Sequence, residues 1–461
     1  MDTKDTEVII IGAGLTGLTL AYYLKKSGKK VIIIEKENKA GGVIDTRNEQ
    51  GFIFETGPNT GIIATSEIAC LFEDLKDSCK LETANPKSKK RYILKYGKWH
   101  ALPSGLLSAI ITPLFTFGDK MRILGEPFRE PGTDPDESIA QLVIRRLGQS
   151  FLDYAVDPFI SGIYAGNPAK LITRFALPKL YALEHNYGSF IRGAIKKSRE
   201  VKSESEKKAT REVFSVQNGL GNLIKGLTDE IGNENIIKGI SDSKVEPVSD
   251  SYIVAFTNTD GINIHLKAPV IVTTTGSYEL PGLLPFLALN LLEPLVNLEY
   301  AGVVQVVLGY NNWEGSNLDA FGGLVPSKEN RNILGILFPS AIFEGRAPEK
   351  GALLSVFLGG VRNPAVINME DTDIEAIVLK EIEETLFCKR HPDLFRIYRY
   401  KHAIPQYGKS TGERLAAIQQ IQIQYPGLII AGNIKDGIGM ADRVKQAKHI
   451  SDKLIKETDA K

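Results

Sequence analysis

The chain has 461 residues, 43% hydrophobic and 24% charged, with 56 Lys+Arg against 55 Asp+Glu for a net charge of +1. That balance fits a globular protein of two or three domains with a large core, and without a basic tail or global field it excludes nucleic acid as an expected partner. The three cysteines, Cys70, Cys79 and Cys388, lack Cys-x-x-Cys spacing and neighbouring histidines, which excludes a disulfide framework and a metal site and points to a reducing, cytoplasmic setting.

Met1-Asp-Thr-Lys-Asp-Thr leads straight into an apolar strand, Val8–Ile11, with no room for a signal peptide. Gly12-Ala13-Gly14-Leu15-Thr16-Gly17 follows. Gly12 permits a tight turn, Gly14 lets the backbone approach phosphates, and Gly17 lets the next helix pack on the strand. That helix, predicted over Leu15–Lys26, turns free N–H groups and a partial positive charge toward the anion. A second strand, Val31–Glu35, ends on an acid placed for a ribose diol, with Lys36 beside it. The motif signals an adenine dinucleotide and leaves NAD and FAD both open.

The first 65 residues read as a βαβ unit with one further hairpin, and include the Gly41-Gly42 and Glu55-Thr-Gly57-Pro58 turns. Over 71–192 the apolar spacing is mostly helical, with loops at 127–136 and 157–168. Within it the apolar run 102–117 is interrupted by Pro113 and falls short of the roughly 20 residues a bilayer span needs. It is either buried or the wall of a tunnel, or a surface dipping into one leaflet with Trp99, Phe115 and Phe117 toward lipid and Lys90, Arg91, Lys95 and Lys98 toward headgroups. Ten charges over 196–211 make a solvated stretch.

Short β-rich runs follow at 235–240, 252–258, 262–266 and 270–273, the last returning to the dinucleotide domain. Residues 280–298 read as an apolar helix with prolines at its turns, and 301–310, 321–325, 333–338 and 352–357 alternate like strands of a separate sheet, the floor of a substrate domain. Near the end, Ala431-Gly432-Asn433 and Gly439-Met440 form a second strand, glycine turn and helix. An NAD enzyme has no need of that second turn, whereas extended FAD uses a second helix N-terminus beside its flavin ring.

The segments 12–17, Gly41-Gly42, Glu55-Thr-Gly-Pro58 and Ala431-Gly-Asn433 resemble the flavin-binding parts of the flavin amine oxidase superfamily. Residues 90–103, 157–168, Phe321-Gly-Gly-Leu-Val-Pro326, Phe343-Glu-Gly-Arg-Ala-Pro348, Phe357-Leu-Gly-Gly360 and Ala403-Ile-Pro-Gln-Tyr407 resemble, in order over nearly the whole chain, the oxygen-dependent protoporphyrinogen oxidases. The resemblance implies an α/β with α+β fold in three parts. A Rossmann-like FAD domain is assembled from the discontinuous segments 1–70, 201–275 and 416–461, a helical membrane-associating insertion covers 71–200, and a mixed-sheet substrate domain covers 276–415.

It implies noncovalent FAD held by Gly12, Ala13, Gly14, Leu15, Thr16, Gly17, Glu35, Lys36, Gly41, Gly42, Gly57, Pro58, Val245, Gly432, Asn433, Gly439 and Met440. It also implies a porphyrinogen site at Arg91, Gly162, Gly166, Leu324, Leu337 and Phe357, where Leu324, Leu337 and Phe357 sandwich the macrocycle and Arg91 pairs with a propionate. No side chain is catalytic, because flavin N5 accepts the hydride. The implied reaction is the six-electron oxidation of protoporphyrinogen IX to protoporphyrin IX in heme biosynthesis, with dioxygen or another acceptor, at a membrane surface and as a homodimer. Coproporphyrinogen III is the alternative substrate and predicts more cations than Arg91. An amine oxidase or polyene desaturase is more distant, since Tyr407 and Tyr425 make a poor aromatic cage. The chain departs from the family at Val43, where a basic residue is usual, at Val272–Gly276, which lacks a proline, and at Lys409-Ser410, where Gly-His is common.

Overall fold

Two apolar runs start the architecture: β1 (Val8–Ile11), buried throughout, and β2 (Val31–Glu35), buried over its first four residues, joined by α1 (Leu15–Lys26). The computed structural model describes residues 3–201 and 203–459; the side chains of Leu106, Leu107 and Ile110 in the 102–117 run, and Lys202 in the charged stretch, lie outside the described residues. A hairpin, β3 (Thr46–Glu49) and β4 (Phe52–Glu55), follows, then a second, β5 (Arg91–Lys95) and β6 (Lys98–Ala101). The helical region contains α2 (Phe117–Leu124) and α3 (Asp157–Tyr164) beside the helices Ile139–Arg146, Pro178–Tyr187 and Phe190–Ser198. Next come β7 (Ile236–Lys238), the meander β8 (Ser241–Val248), β9 (Ser251–Thr257) and β10 (Asn263–Ala268), and β11 (Val270–Thr273).

The last part of the chain supplies β12 (Tyr300–Tyr310), β13 (Gly322–Leu324), β14 (Ile333–Leu337), β15 (Ala352–Gly359), α4 (Asp371–Leu386) and β16 (Leu394–Pro405). It closes with α5 (Thr411–Gln424), β17 (Leu428–Ile430) and α6 (Met440–Asp459). The parallel five-stranded sheet runs β7-β2-β1-β11-β17, so strands from both ends of the chain and its middle meet in one sheet. Both faces are covered, as a parallel sheet requires. Ile10, Leu18, Leu20, Ile33 and Val444 fill one side; Ile9, Ile11, Val254, Leu280 and Ile418 fill the other.

The seven-stranded sheet runs β16-β12-β15-β14-β13-β5-β6. Its registers put Tyr92, Leu94, Val304, Val306, Ile336, Leu354, Val356 and Leu358 on one face, sealed by Ile374, Val378, Ile382 and Leu386 of α4. The opposite face carries Arg91, Leu324, Leu337, Ser355, Phe357 and Gln305.

Four expectations change. Residues 91–101 are not helical: their two-residue period feeds the β5–β6 hairpin into the sheet, turned by Tyr96 and Gly97 at φ +52° and +72°. The 157–168 loop is mostly α3, because Pro158 sits in its first turn, where a missing N–H costs nothing. The 280–298 helix breaks into Leu280–Leu283 and Leu289–Val296 around Pro285. Trp99 and Phe115 are not set for lipid. The Trp99 Nε1–H donates to Thr385 O at 2.9 Å, and Phe115 is buried, stacked on Phe151 at 5.2 Å.

Candidate functional site

At the carboxyl ends of β1, β2, β11 and β17 the chain makes four close turns, the crevice where open α/β sheets hold ligands. Leu15 and Thr16 are buried at the start of α1, and a Cβ on Gly17 would lie 2.0 Å from the Gly12 carbonyl, so only glycine lets α1 start against that turn. A Cβ on Gly14 would meet nothing within 4 Å, so its backbone faces open space, bridged sideways to Gly41. Glu35 Oε2 accepts from Ala13 N at 2.6 Å and Oε1 from Glu37 N at 2.9 Å, which fixes the carboxylate beside the glycine turn. Lys36 is exposed and pairs with Glu279 at 3.4 Å. Val245, fully buried, pairs with Val254 in the meander next to Glu35, whose carbonyl accepts from Ile240 N.

The turn at Gly57-Pro58 closes on this cleft, since a Cβ on Gly57 would sit 2.0 Å from Val43 O, one residue beyond Gly42. From the other end of the chain, Gly432 N donates to Gln446 Oε1 at 2.8 Å, Gly439 N donates to Asp442 Oδ2 at 3.0 Å, and Met440 starts α6. The Asn433 carbonyl accepts from Tyr407 Oη at 2.7 Å. The residues read from the sequence as dinucleotide-contacting lie on or beside these turns, except Val245, which is buried in the meander.

On the second face of the seven-stranded sheet Gln305, Val307, Ser355 and Ile93 are buried, and an exposed patch, the candidate recess, is left at Arg91, Leu324, Leu337 and Phe357. One cross-strand row reads Gln305, Phe357, Gly335, Leu324, Ile93; the next reads Val307, Ser355, Leu337, Gly322, Arg91. Phe357, Leu337 and Leu324 remain partly exposed, while Gly335 and Gly322 between them are buried, their Cβ positions 2.7 Å from Gly323 O and 2.3 Å from Ile336 O, so that only glycine lets these strands lie this close. Gly162 of α3 backs Leu324, a Cβ there falling 2.4 Å from Leu324 Cδ2. Arg91 is exposed with its guanidinium 5.2 Å over the Phe321 ring. Gly166 stands apart: its Cβ position faces Gln406 Oε1 at 2.7 Å, although the neighbouring Ala165 packs in the same cluster as Phe357.

Comparison with known proteins identifies the architecture. A family model described as flavin containing amine oxidoreductase matches residues 15–447. The chain belongs to that family. Protoporphyrinogen oxidase 2, chloroplastic/mitochondrial, of Arabidopsis thaliana is 29% identical over 481 residues, covering 97% of this chain and 93% of its own. Coproporphyrinogen III oxidase of Bacillus subtilis (strain 168) is 26% identical over 477 residues, covering 98% and 99%. Among solved structures, one from Exiguobacterium sp. 255-15 superposes with a TM-score of 0.81 at 22% identity, covering 99% of this chain and all of the other. Putrescine oxidase bound to putrescine gives 0.69 at 14%, covering 98% and 100%; both likenesses show the fold.

The family is flavin-dependent, and this member is an FAD-dependent oxidoreductase whose crevice fits the cofactor. The open space at the Cβ position of Gly14 is a cradle that a pyrophosphate would fit. Among the described residues, the N–H groups of Asn433, Ile434, Asp436, Gly437 and Ile438 have no protein acceptor, as a turn facing an electron-rich ring needs.

Three tethers that join the 55–59 turn to the sheet escaped the sequence. Gln305 Nε2 donates to Glu55 O at 2.8 Å, Ser355 Oγ donates to Asn59 Oδ1 at 3.0 Å, and the Tyr400 hydroxyl donates to Thr56 O. The signal was present as lone polar residues in apolar strands, Val-Val-Gln305-Val-Val and Leu-Leu-Ser355-Val-Phe. Glu55 itself is buried; its carboxylate accepts from Thr46 Oγ1 at 2.6 Å and Leu220 N at 2.9 Å, with Arg346 at 3.4 Å. Burial outweighs these partners and pushes its carboxyl up to about 7.

Proposed function

We propose that this chain oxidises protoporphyrinogen IX to protoporphyrin IX, and that the recess on the seven-stranded sheet is its substrate site. The observation that carries the reading is the row geometry: Phe357, Leu337 and Leu324 alternate with Gly335 and Gly322 on the face that is tied by Gln305 and Ser355 to the flavin turn. A flat tetrapyrrole fits a surface of partly exposed apolar side chains with no bulk at the glycines between them, and Arg91 at the rim supplies a fork for an edge carboxylate. When bound, FAD accepts a hydride from the ring-bridging carbon and passes two electrons on. The chain's part is placement: the sheet face and Gly162 set the macrocycle's plane, Arg91 sets its rotation, and the apolar lining excludes water. Three such rounds with dioxygen consume three O₂ and release three H₂O₂ per porphyrin.

The protoporphyrinogen reading is favoured over coproporphyrinogen III because two basic side chains flanking Arg91 are engaged, Lys90 Nζ with Asp319 at 2.5 Å and Lys95 Nζ with Leu114 O at 2.7 Å; Lys98 on β6 is exposed and is the further cation a four-carboxylate substrate would need. The amine oxidase reading loses ground because Tyr407 is buried with its hydroxyl on Asn433 O and Gly437 O, and Tyr425 packs on Phe286. Fluorescence of the product, measured with each porphyrinogen in parallel, tests the assignment. Faster turnover of coproporphyrinogen III would shift it to that substrate, and turnover of neither would remove it. Peroxide counted per porphyrin distinguishes dioxygen from a quinone acceptor.

Peripheral membrane association belongs to the same reading, with Phe117 kept from the expected surface and Trp99 and Phe115 replaced. Phe117, Met121, Leu124 and Phe128 line one stripe at helical spacing and are 50% to 84% exposed, with Arg192 Cζ 6.0 Å from the Phe128 ring. Among the described residues no helix is long and apolar enough to cross a membrane. Flotation with anionic vesicles checks it: a Phe117→Ser/Phe128→Ser double variant is expected to stay at the bottom of the gradient. The homodimer implied by the family resemblance is decided by sedimentation of the FAD-loaded protein.

A further inference from the structure

Beneath the C-terminal flavin turn lie three basic side chains that nothing in the reaction so far uses. Arg414 of α5 is fully buried; its Nε donates to Ile434 O at 3.0 Å and its Nη2 to Thr411 Oγ1 at 3.3 Å, while Nη1 has no partner. Arg443 of α6 is 7% exposed; its Nη2 donates to Lys435 O at 2.8 Å and its Nη1 to Gln446 Oε1 at 3.0 Å, while Nε has no partner. Lys435 itself lies 4.0 Å from Asp436. Neither guanidinium has a carboxylate partner among the described residues. Buried arginines are ordinarily neutralised by an acid, and here the nearest acids do other work. Asp436 accepts from Gln446 Nε2 and is 57% exposed at its side chain, and Asp442 caps α6 at Gly439 N. Burial holds both guanidinium groups below their ordinary value, the mark of cations kept in a site that does not compensate them.

The same contacts fix which way the turn faces. The carbonyls of Asn433, Ile434, Lys435 and Gly437 all accept from Tyr407, Arg414 or Arg443. Their peptide groups are thereby held from behind, and the N–H groups without protein acceptors are left on the other side.

We propose that Arg414, Arg443 and Lys435 form an electropositive floor that orients the 432–438 turn and favours the anionic reduced form of the bound flavin, making them positioning and tuning residues for electron transfer. The inference rests on FAD lying against this turn. Reduction adds two electrons and one proton to oxidised flavin and leaves a negative charge on the N1–C2=O end; dioxygen then takes the two electrons and, with that proton and one from solvent, leaves as H₂O₂. A unit charge held about 10 Å from that anion, at an effective dielectric constant near 20, is worth roughly tenfold in the equilibrium.

Sulfite reads the same charge without substrate, because its lone pair forms a bond to flavin N5 and the displaced electron pair moves to N1. The test is sulfite titration and dye-coupled potentiometry of FAD-loaded wild type, Lys435→Gln, Arg443→Met, Arg443→Lys and, as a reference, Lys380→Gln on α4, where the side chain is exposed. Lys435→Gln and Arg443→Met are each expected to weaken sulfite binding about tenfold and lower the two-electron potential by about 30 mV. Arg443→Lys is expected to stay within threefold, and Lys380→Gln unchanged. Charge-removing variants within twofold of wild type, or equal losses in Arg443→Lys and Arg443→Met, overturn the inference alone. Wild type that binds no FAD overturns the cofactor reading with it. Lys435, whose side chain is 20% exposed, is the position where substitution leaves the core intact.

Discussion

Glu55 makes folding stability depend on pH in a direction opposite to most carboxylates. Its folded value of about 7 stands above the ordinary 4.5, because burial outweighs the hydrogen bonds from Thr46 and Leu220 and the charge of Arg346. Below pH 4.5 the group is protonated in both folded and unfolded chains, and its contribution is fully present. As pH rises from about 4.5 to about 7 the unfolded chain ionises while the folded form does not, and stability is lost until the folded form ionises too. A gap of about 2.5 units at 1.36 kcal/mol each amounts to about 3 kcal/mol. Glu55→Gln removes the titration; its amide oxygen can still accept from Leu220 N, and its amide nitrogen faces the Thr46 hydroxyl, which can turn to accept from it. With about 2.1 cal/mol/K of unfolding entropy per residue, 3 kcal/mol corresponds to about 3 °C in a chain of this size. Thermal melts of FAD-loaded wild type and Glu55→Gln at pH 5 and pH 8 are therefore expected to diverge by about 3 °C more at one pH than the other, with the variant relatively more stable at pH 8. Melting curves that keep a constant offset between pH 5 and pH 8 would refute the reasoning, and would mean that Arg346 holds Glu55 ionised.

Gly17→Ala places a methyl 2.0 Å from the Gly12 carbonyl, so the chain is expected to fold but purify without yellow colour; an FAD content above half of wild type counts against the crevice. Gly335→Val, between Phe357 and Leu324, sets a Cβ 2.7 Å from Gly323 O and so displaces β13 with its Leu324; porphyrin formation is expected to fall at least a hundredfold while dithionite still bleaches the flavin, and unimpaired turnover removes the recess as the substrate site. Arg91→Ala is expected to raise KM about three- to tenfold with kcat nearly unchanged, the size of one partly solvated charge pair, and Arg91→Lys to recover part of it; a loss confined to kcat would assign Arg91 a different role.

The parts of this fold carried by local pattern were legible, and those made by distant contacts were not. The β1–α1–β2 unit is visible because Gly12, Gly14 and Gly17 are spaced by the turn itself, and the strands at β12, β14 and β15 because period two shows in six residues or fewer. The β5–β6 hairpin was hidden by its charges: Lys95, Tyr96, Gly97 and Lys98 look like a solvated loop, although a left-handed residue followed by glycine is itself a hairpin signal. α3 was hidden by Pro158 and Gly162, which punctuate loops more often than helices. The cations under the C-terminal turn could not be found at all, since nothing local distinguishes Arg414 from an exposed helix arginine. Its burial comes from Tyr407, Ile434 and Tyr300 closing over it from three separate segments.

Gln305 and Ser355 explain why the substrate face and the cofactor turn sit in register. Each occupies the same row set as the recess: Gln305 pairs directly with Phe357, and Ser355 with Leu337. The strand that presents an apolar knob therefore also presents, within two residues, the donor that holds the 55–59 turn. A shift of β15 by one residue would move Phe357 to the α4 face and release Asn59 at once, because the side-chain period is two. Recess and turn are thus specified by a single strand register, and a substitution that slips β15 must lose flavin placement and macrocycle binding together.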